Sequence, residues 1–97
     1  MSDDSRPGFT ARQGHYLAFI HAYTLVNGRP PAEADMQRFF RISGPAVLQM
    51  VLGLERVGPI SRQPGMPRSI RLLIERAQIP ELRSADEQPV RTTLQRY

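Results

Sequence analysis

The sequence contains neither cysteine nor lysine, and its apolar runs are short. Without cysteine the chain has no disulfide framework, no thiol nucleophile, no cysteine-ligated zinc site and no iron–sulfur cluster. No apolar run approaches the ~20 residues that span a bilayer, and no signal-peptide pattern opens the chain, so we expect a soluble cytoplasmic protein without a membrane segment. The 97 residues, 40% of them hydrophobic, are enough for one domain with a small core.

The positive charge is concentrated in one part of the chain. Thirteen arginines against nine acids give a net charge of +4. Residues 1–40 hold four arginines and four acids, residues 77–97 hold three of each, and residues 41–76 hold six arginines against two acids. The excess in residues 41–76 is typical of a surface that binds a polyanion, although solvated surface charge is the alternative. We expect arginines outside this stretch to matter little for such binding.

The first part of the chain carries the signals of one long helix and one short one. Thr10 and Gln13 form a capping box ahead of a helical stripe of apolar residues. This pattern predicts a helix over residues 11–26, which Gly28 ends. Pro31 is placed to open a second, short helix, because proline is tolerated in the first turn and acids follow it there.

A third helix is expected after a tight connection. Ser43 is a good N-cap, which predicts a helix over residues 45–57, and a Gly-Pro pair ends it. On a helical wheel one face is apolar and consists of Val47, Met50, Val51 and Leu54. The opposite face consists of Pro45, Gln49, Leu52, Gly53 and Arg56.

The rest of the chain predicts a hairpin and a tail. Two β-like runs, residues 60–63 and 69–74, flank a turn-rich loop. We interpret residues 1–8 as a flexible lead-in, 9–76 as the domain, and 77–97 as a tail that is partly disordered or holds a short helix. Three helices and a hairpin predict a mainly α, winged helix-turn-helix fold. In such a fold the third helix suits the major groove of DNA, and the hairpin (the wing) suits the flanking backbone.

Three motifs add a family resemblance: FTARQ at 9–13, NGRPP at 27–31 and LERVGPI at 54–60. Together with RSIRLL at 68–73, they resemble the N-terminal domain of the LexA repressor family over residues 9–74, and MarR-like winged-helix regulators share parts of them. The resemblance implies a sequence-specific, double-stranded DNA-binding transcriptional regulator of bacterial type. That family also has a second domain in which a serine–lysine dyad performs self-cleavage. Because this chain has no lysine and ends before such a domain, we expect no self-cleavage.

Eight residues are candidates for contacts with DNA. Gln49 suits bidentate pairing with adenine, and Ala46 suits contact with a thymine methyl group. Ser43, as the N-cap, is expected close to a phosphate. The other candidates are arginines suited to phosphate, with Arg68 at the hairpin tip as the best single choice: Arg41, Arg56, Arg62, Arg68 and Arg71. Each has a structural alternative as a cap, an exposed side chain or a solvated charge.

Leu48 and Leu52 lie near the outer face and leave a second hypothesis open, a protein–protein interaction adaptor built on the same scaffold. A domain of this size makes few base contacts, so we expect a homodimer on a two-fold site. The tail, the first helix and these two leucines are the alternatives for its interface.

His15 and His21 point in different directions from the first helix, and phosphate-loop, nucleophile-elbow and metal motifs are missing. We therefore expect no enzyme, no bound metal and no cofactor.

Overall fold

Three helices and a two-stranded hairpin make up the fold in the computed structural model, which describes residues 8–82. The helices are α1 (Ala11–Asn27), α2 (Glu33–Phe40) and α3 (Gly44–Val57). Strand β1 (Ile60–Ser61) pairs antiparallel with β2 (Arg71–Leu72), and a 3₁₀ helix, Arg76–Gln78, follows. The predicted mainly α, winged helix-turn-helix fold is confirmed. Residues 1–7 of the lead-in and the tail beyond residue 82 lie outside the described residues.

The caps of α1 and α3 are those that the sequence indicates. Thr10 Oγ1 accepts a hydrogen bond from the Gln13 N–H, and Gln13 Oε1 accepts one from the Thr10 N–H, both at 3.0 Å. Gly28 ends α1 in the left-handed conformation, with φ of 76°. Ser43 Oγ accepts from the Ala46 N–H at 3.2 Å and begins α3. Each cap satisfies backbone groups that a helix end leaves unpaired.

Helix α2 begins later than predicted, because Pro31 precedes the helix instead of opening it. The N-cap is Ala32, whose N–H donates to Asp35 Oδ2 at 2.8 Å. The carboxylate thereby satisfies the N–H at the N-cap, and helical geometry starts at Glu33. Pro31 is left in front of this turn with its ring buried.

The wing pairs over a shorter length than the two predicted runs. The ladder is limited to Ile60 opposite Leu72 and Ser61 opposite Arg71. Two positions beyond this ladder, Ser69 Oγ accepts from the Gln63 N–H at 2.9 Å and donates to the Gln63 carbonyl oxygen at 3.1 Å. A side chain thus takes the hydrogen bonds that a longer ladder would have used.

The core lies between the three helices and the wing. Its members are buried apolar side chains from the three helices, from β1 and from the residue before β2: Tyr16, Leu17, Phe19, Ile20, Met36, Val47, Val51, Leu54, Ile60 and Ile70. Tyr16 stacks on Phe40 with ring centroids 4.0 Å apart. Among residues 8–82, the Tyr16 hydroxyl is the buried side-chain polar atom without a hydrogen-bond partner, and burial raises its pKa.

Two helical glycines are buried, Gly53 with room for a Cβ and Gly14 without it. The placement of Gly53 on the outer face is wrong, because Gly53 is buried, and a Cβ there would lie 3.4 Å from Gln13 Nε2 of α1. A Cβ on Gly14 would lie only 2.9 Å from the Pro80 ring. Ile79 and Leu82 also pack against the core, so the packed domain continues beyond the predicted boundary at residue 76.

Candidate nucleic-acid interface

Helix α3 is amphipathic in the orientation that the sequence predicts. Val47, Val51 and Leu54 are fully buried. The exposed side of its first two turns presents four side chains, Pro45, Ala46, Leu48 and Gln49. Within the described residues the Gln49 side chain makes no hydrogen bond, so its amide is available to a ligand. The predicted contacts Ser43, Ala46 and Gln49 therefore share one end of α3.

The connection between α2 and α3 consists of three residues. Arg41 adopts a left-handed conformation, with φ of 58°, and its N–H donates to the Gln37 carbonyl oxygen at 2.8 Å. This residue therefore ends α2, and its side chain is exposed beside the start of α3. A connection of this length between two helices is typical of a helix-turn-helix unit.

Arg68 differs most from its expectation. Its Nη1 donates to the Tyr23 hydroxyl and to the Pro30 carbonyl oxygen, both at 3.1 Å, and lies 3.2 Å from Asp35 Oδ2. Its guanidinium carbon also lies 5.8 Å from the centre of the Tyr23 ring. The sequence makes Arg68 the best single candidate for a phosphate contact, whereas these contacts turn its side chain back onto the helices.

These contacts join the wing to three parts of the helical unit. Tyr23 belongs to α1, Pro30 to the α1–α2 connection and Asp35 to the first turn of α2. The hydrogen bond from Ala32, followed by the charge of Arg68, holds the pKa of the Asp35 carboxyl below its ordinary value. Asp35 thus stays ionised and ready to pair with Arg68. We define Arg68, Asp35, Tyr23 and the Pro30 carbonyl as the wing anchor.

Arg62 is also engaged within the protein. Its Nε donates to Glu55 Oε1 at 3.2 Å, which connects the start of the wing to the last turns of α3. Only 17% of the Arg62 side chain is exposed. The contact therefore fixes the wing relative to α3 and leaves little of the guanidinium for an outside partner.

Arg56 and Arg71 are the candidate arginines that remain open. Both side chains are exposed, and neither makes a hydrogen bond or ion pair within residues 8–82. Arg56 lies in the last turn of α3, and Arg71 lies in β2 opposite Ser61. Their guanidinium groups are the ones best able to meet a polyanion.

Sequence reasoning missed the wing anchor. In the sequence Asp35 is one of the acids that follow Pro31, and nothing marks it or Tyr23 as a partner of Arg68. The Arg68 contacts connect residues 45 and 38 positions apart in the chain, to Tyr23 and Pro30. No local pattern signals a contact over such separations.

The described part of the chain contains neither a membrane-spanning helix nor a cluster of metal ligands. No helix there is long and apolar enough to cross a membrane. No group of three or more histidine, aspartate or glutamate side chains is placed to hold a metal ion between residues 8 and 82.

Comparison with known proteins gives one family. The family model described as the LexA DNA binding domain matches residues 6–69. The LexA repressor of Thermotoga maritima is 38% identical over 63 residues, which are 65% of this chain and 32% of that protein. The LexA repressor of Geobacter metallireducens is 40% identical over 65 residues, which are 66% of this chain and 32% of that protein. The chain thus matches just under a third of the length of these relatives.

Proposed function

Because the chain belongs to the LexA DNA-binding domain family, we propose that it is a sequence-specific, double-stranded DNA-binding transcriptional regulator. Helix α3 would lie in the major groove, and the β1–β2 wing would lie on the flanking backbone. As a bacterial-type regulator it would act in the cytoplasm. The matched region is a DNA-binding domain, and we propose no catalytic activity for the chain.

The observation that carries this proposal is the uncovered outer face of α3 within the basic part of the chain. Its exposed start carries an amide, Gln49, that can pair with a base edge. The net excess of four arginines lies in residues 41–76, which include α3 and the wing. A duplex offers a groove wide enough for a helix and a phosphate backbone on each side of it.

The proposed contacts divide into base and phosphate contacts. Gln49 would pair with an adenine and Ala46 would approach a thymine methyl group. Ser43, Arg41, Arg56 and Arg71 would meet phosphates around the groove. We assign Arg62 and Arg68 a supporting role instead, because their guanidinium groups already contact the protein.

A salt titration tests the proposal. Each phosphate contact adds about 0.9 to the slope of log affinity against log salt, so a rise from about 50 to 200 mM costs about 3.5-fold per contact. The three proposed arginine contacts, which are the ones that neutralise phosphate charge, predict a loss of about 40-fold on any duplex over this range. Fluorescence anisotropy with a labelled random duplex measures it. Failure of the folded protein to bind DNA at low salt would contradict the proposal.

Gln49→Ala tests base readout. A bidentate pair with adenine contributes about 1–3 kcal/mol of discrimination, so affinity for a selected site should fall about 5- to 150-fold. Affinity for random duplex should change little. Gln78→Ala, which alters an exposed glutamine of the 3₁₀ helix, is the matched control and should leave both affinities unchanged. Equal losses on selected and random duplexes would exclude Gln49 as a base contact.

The adaptor alternative is not favoured, because the family match is to a DNA-binding domain. Its supporting feature is Leu48, whose exposed fraction is 38%.

We further propose that two copies bind one two-fold site, since a single domain of this size reads few bases. Leu25 and Val26, 67% and 82% exposed at the end of α1, are the most exposed large apolar residues of the described part of the chain. Sedimentation of the free protein and of its DNA complex measures the number of copies.

A further inference from the structure

The first part of α3 carries no ionised side chain. From Gly44 to Leu54 the helix contains neither arginine nor acid, and the first charged residue, Glu55, is occupied by Arg62. Arg56 lies two turns beyond Gln49, about 10 Å farther along the axis. The guanidinium and carboxylate groups that read bases in other proteins are therefore missing from the two turns nearest the helix N-terminus.

What this surface does offer is one amide surrounded by apolar groups. Pro45, Ala46 and Gln49 are exposed, and the Leu48 side chain is exposed over 38% of its area. Ser43, just before them, has its hydroxyl oxygen engaged in capping the Ala46 N–H. Gln49 is thus the exposed hydrogen-bonding side chain of the first two turns.

The major groove displays four chemically distinct patterns. Guanine offers N7 and O6, which suit arginine or lysine, and the cytosine amino group suits a carboxylate. Adenine offers N6 and N7, which suit glutamine, and thymine alone offers a C5 methyl group to an apolar side chain. The exposed amide and apolar groups on α3 match only adenine and thymine.

We propose that this helix reads A·T base pairs, with Gln49 on an adenine and with Ala46 and Leu48 packed against the C5 methyl groups of neighbouring thymines. The inference rests on the proposed function and adds the substrate class to it. Duplex DNA is the occupant favoured for this apolar surface because the net excess of arginine lies in the same stretch of chain, residues 41–76. A protein partner would gain nothing specific from that charge unless its own surface were acidic.

Selection of bound duplexes from a random library, followed by thymine-to-deoxyuridine replacement, tests the proposal. Deoxyuridine removes the methyl group and keeps every hydrogen-bonding atom. Each contacted thymine should therefore lose about fourfold in affinity, the effect of uncovering one methyl-sized group. The selected half-sites should hold A·T pairs where α3 lies.

A cycle with Leu48→Ala locates the contact. The variant should bind the thymine duplex more weakly and should no longer distinguish it from the deoxyuridine duplex at one position. Leu48→Met, which restores apolar volume, should regain the distinction. Gln49→Ala should keep the methyl effect, and Arg71→Ala should leave it unchanged. Thermal unfolding checks that each variant folds.

The outcomes separate the inference from the proposed function. Salt-dependent binding with G·C pairs selected under α3, or with no response to deoxyuridine, would overturn the inference and leave the DNA-binding proposal intact. A Leu48→Ala loss that is the same on both duplexes would also overturn it. Absence of binding to any duplex by the folded protein would overturn both.

Discussion

Replacing Arg68 by alanine should weaken DNA binding by the same factor at every salt concentration. Nη1 of Arg68 lies 3.1 to 3.2 Å from the Tyr23 hydroxyl, the Pro30 carbonyl oxygen and Asp35 Oδ2. Loss of these contacts would free the wing from α1 and α2. The wing would then have to become ordered when DNA binds, and the entropy lost in this ordering lowers the affinity. The phosphate contacts in the bound state, which set the salt dependence, would stay the same.

Arg71→Ala supplies the contrasting magnitude. Arg71 is exposed and has no partner within residues 8–82, so its removal should delete one phosphate contact. The slope should fall by about 0.9, and the deficit relative to the wild type should shrink about 3.5-fold between about 50 and 200 mM salt. For Arg68→Ala the deficit should remain constant over that range.

The assay is fluorescence anisotropy with one labelled duplex at four salt concentrations, together with thermal unfolding. Arg68→Lys keeps the charge but cannot reproduce the planar guanidinium contacts, so it should resemble Arg68→Ala in both measurements. Both substitutions should lower the unfolding temperature, whereas Arg71→Ala should not. Arg29→Ala, an exposed arginine outside residues 41–76, should change neither slope nor affinity.

The reasoning would be refuted if Arg68→Ala lowered the slope as much as Arg71→Ala and left the unfolding temperature unchanged. Recovery of the wild-type slope by Arg68→Lys would point the same way. That pattern would mean that Arg68 leaves the wing anchor and meets a phosphate, as the sequence alone suggested.

Three further predictions concern the fold. Folding lowers the pKa of the Asp35 carboxyl, so the stabilisation by its charge is present above the ordinary carboxyl pKa and should be lost as the pH falls below about 4. In Asp35→Asn the urea concentration at the unfolding midpoint should depend less on pH over that range. Gly53→Ala should raise the free energy of unfolding by about 0.5–1 kcal/mol. Gly14→Ala should lower it by up to ~2 kcal/mol, because its Cβ would meet Pro80 at 2.9 Å. Adding Pro80→Ala to Gly14→Ala should reduce that loss. Tyr16→Phe should be neutral or stabilising by about 1 kcal/mol in thermal unfolding, and a clear loss would mean that its hydroxyl has a partner.

The helices could be predicted because their signals are local. Thr10 with Gln13, and Ser43 ahead of Ala46, cap backbone groups three residues away, so the sequence pattern and the structure contain the same contact. Pro31 shows where such reasoning errs. Proline is tolerated in a first turn, but a carboxylate reaching back to Ala32 set the start of α2 two residues later.

The exposed face of α3 was also predictable, whereas the residues of other helices that contact α3 were not. Val47 and Gln49 fall on opposite sides of any α-helix, and burial follows from hydrophobicity. Gly53 breaks this rule because a residue without a side chain carries no hydrophobic signal. The neighbour that a Cβ on Gly53 would meet is Gln13, which belongs to α1 and is 40 residues away in the chain.

The sequence by itself determined three helices, the caps of α1 and α3, a hairpin, an amphipathic α3 with Gln49 outward, and a local excess of arginine. Each follows from residues within a few positions of one another or from composition. Only the tertiary structure decided which arginines are open to a partner. Arg56 and Arg71 remain exposed, whereas Arg68 is drawn to groups contributed by α1 and α2. A guanidinium pairs with whatever acceptors folding brings within about 3 Å, and chain order does not reveal which those are.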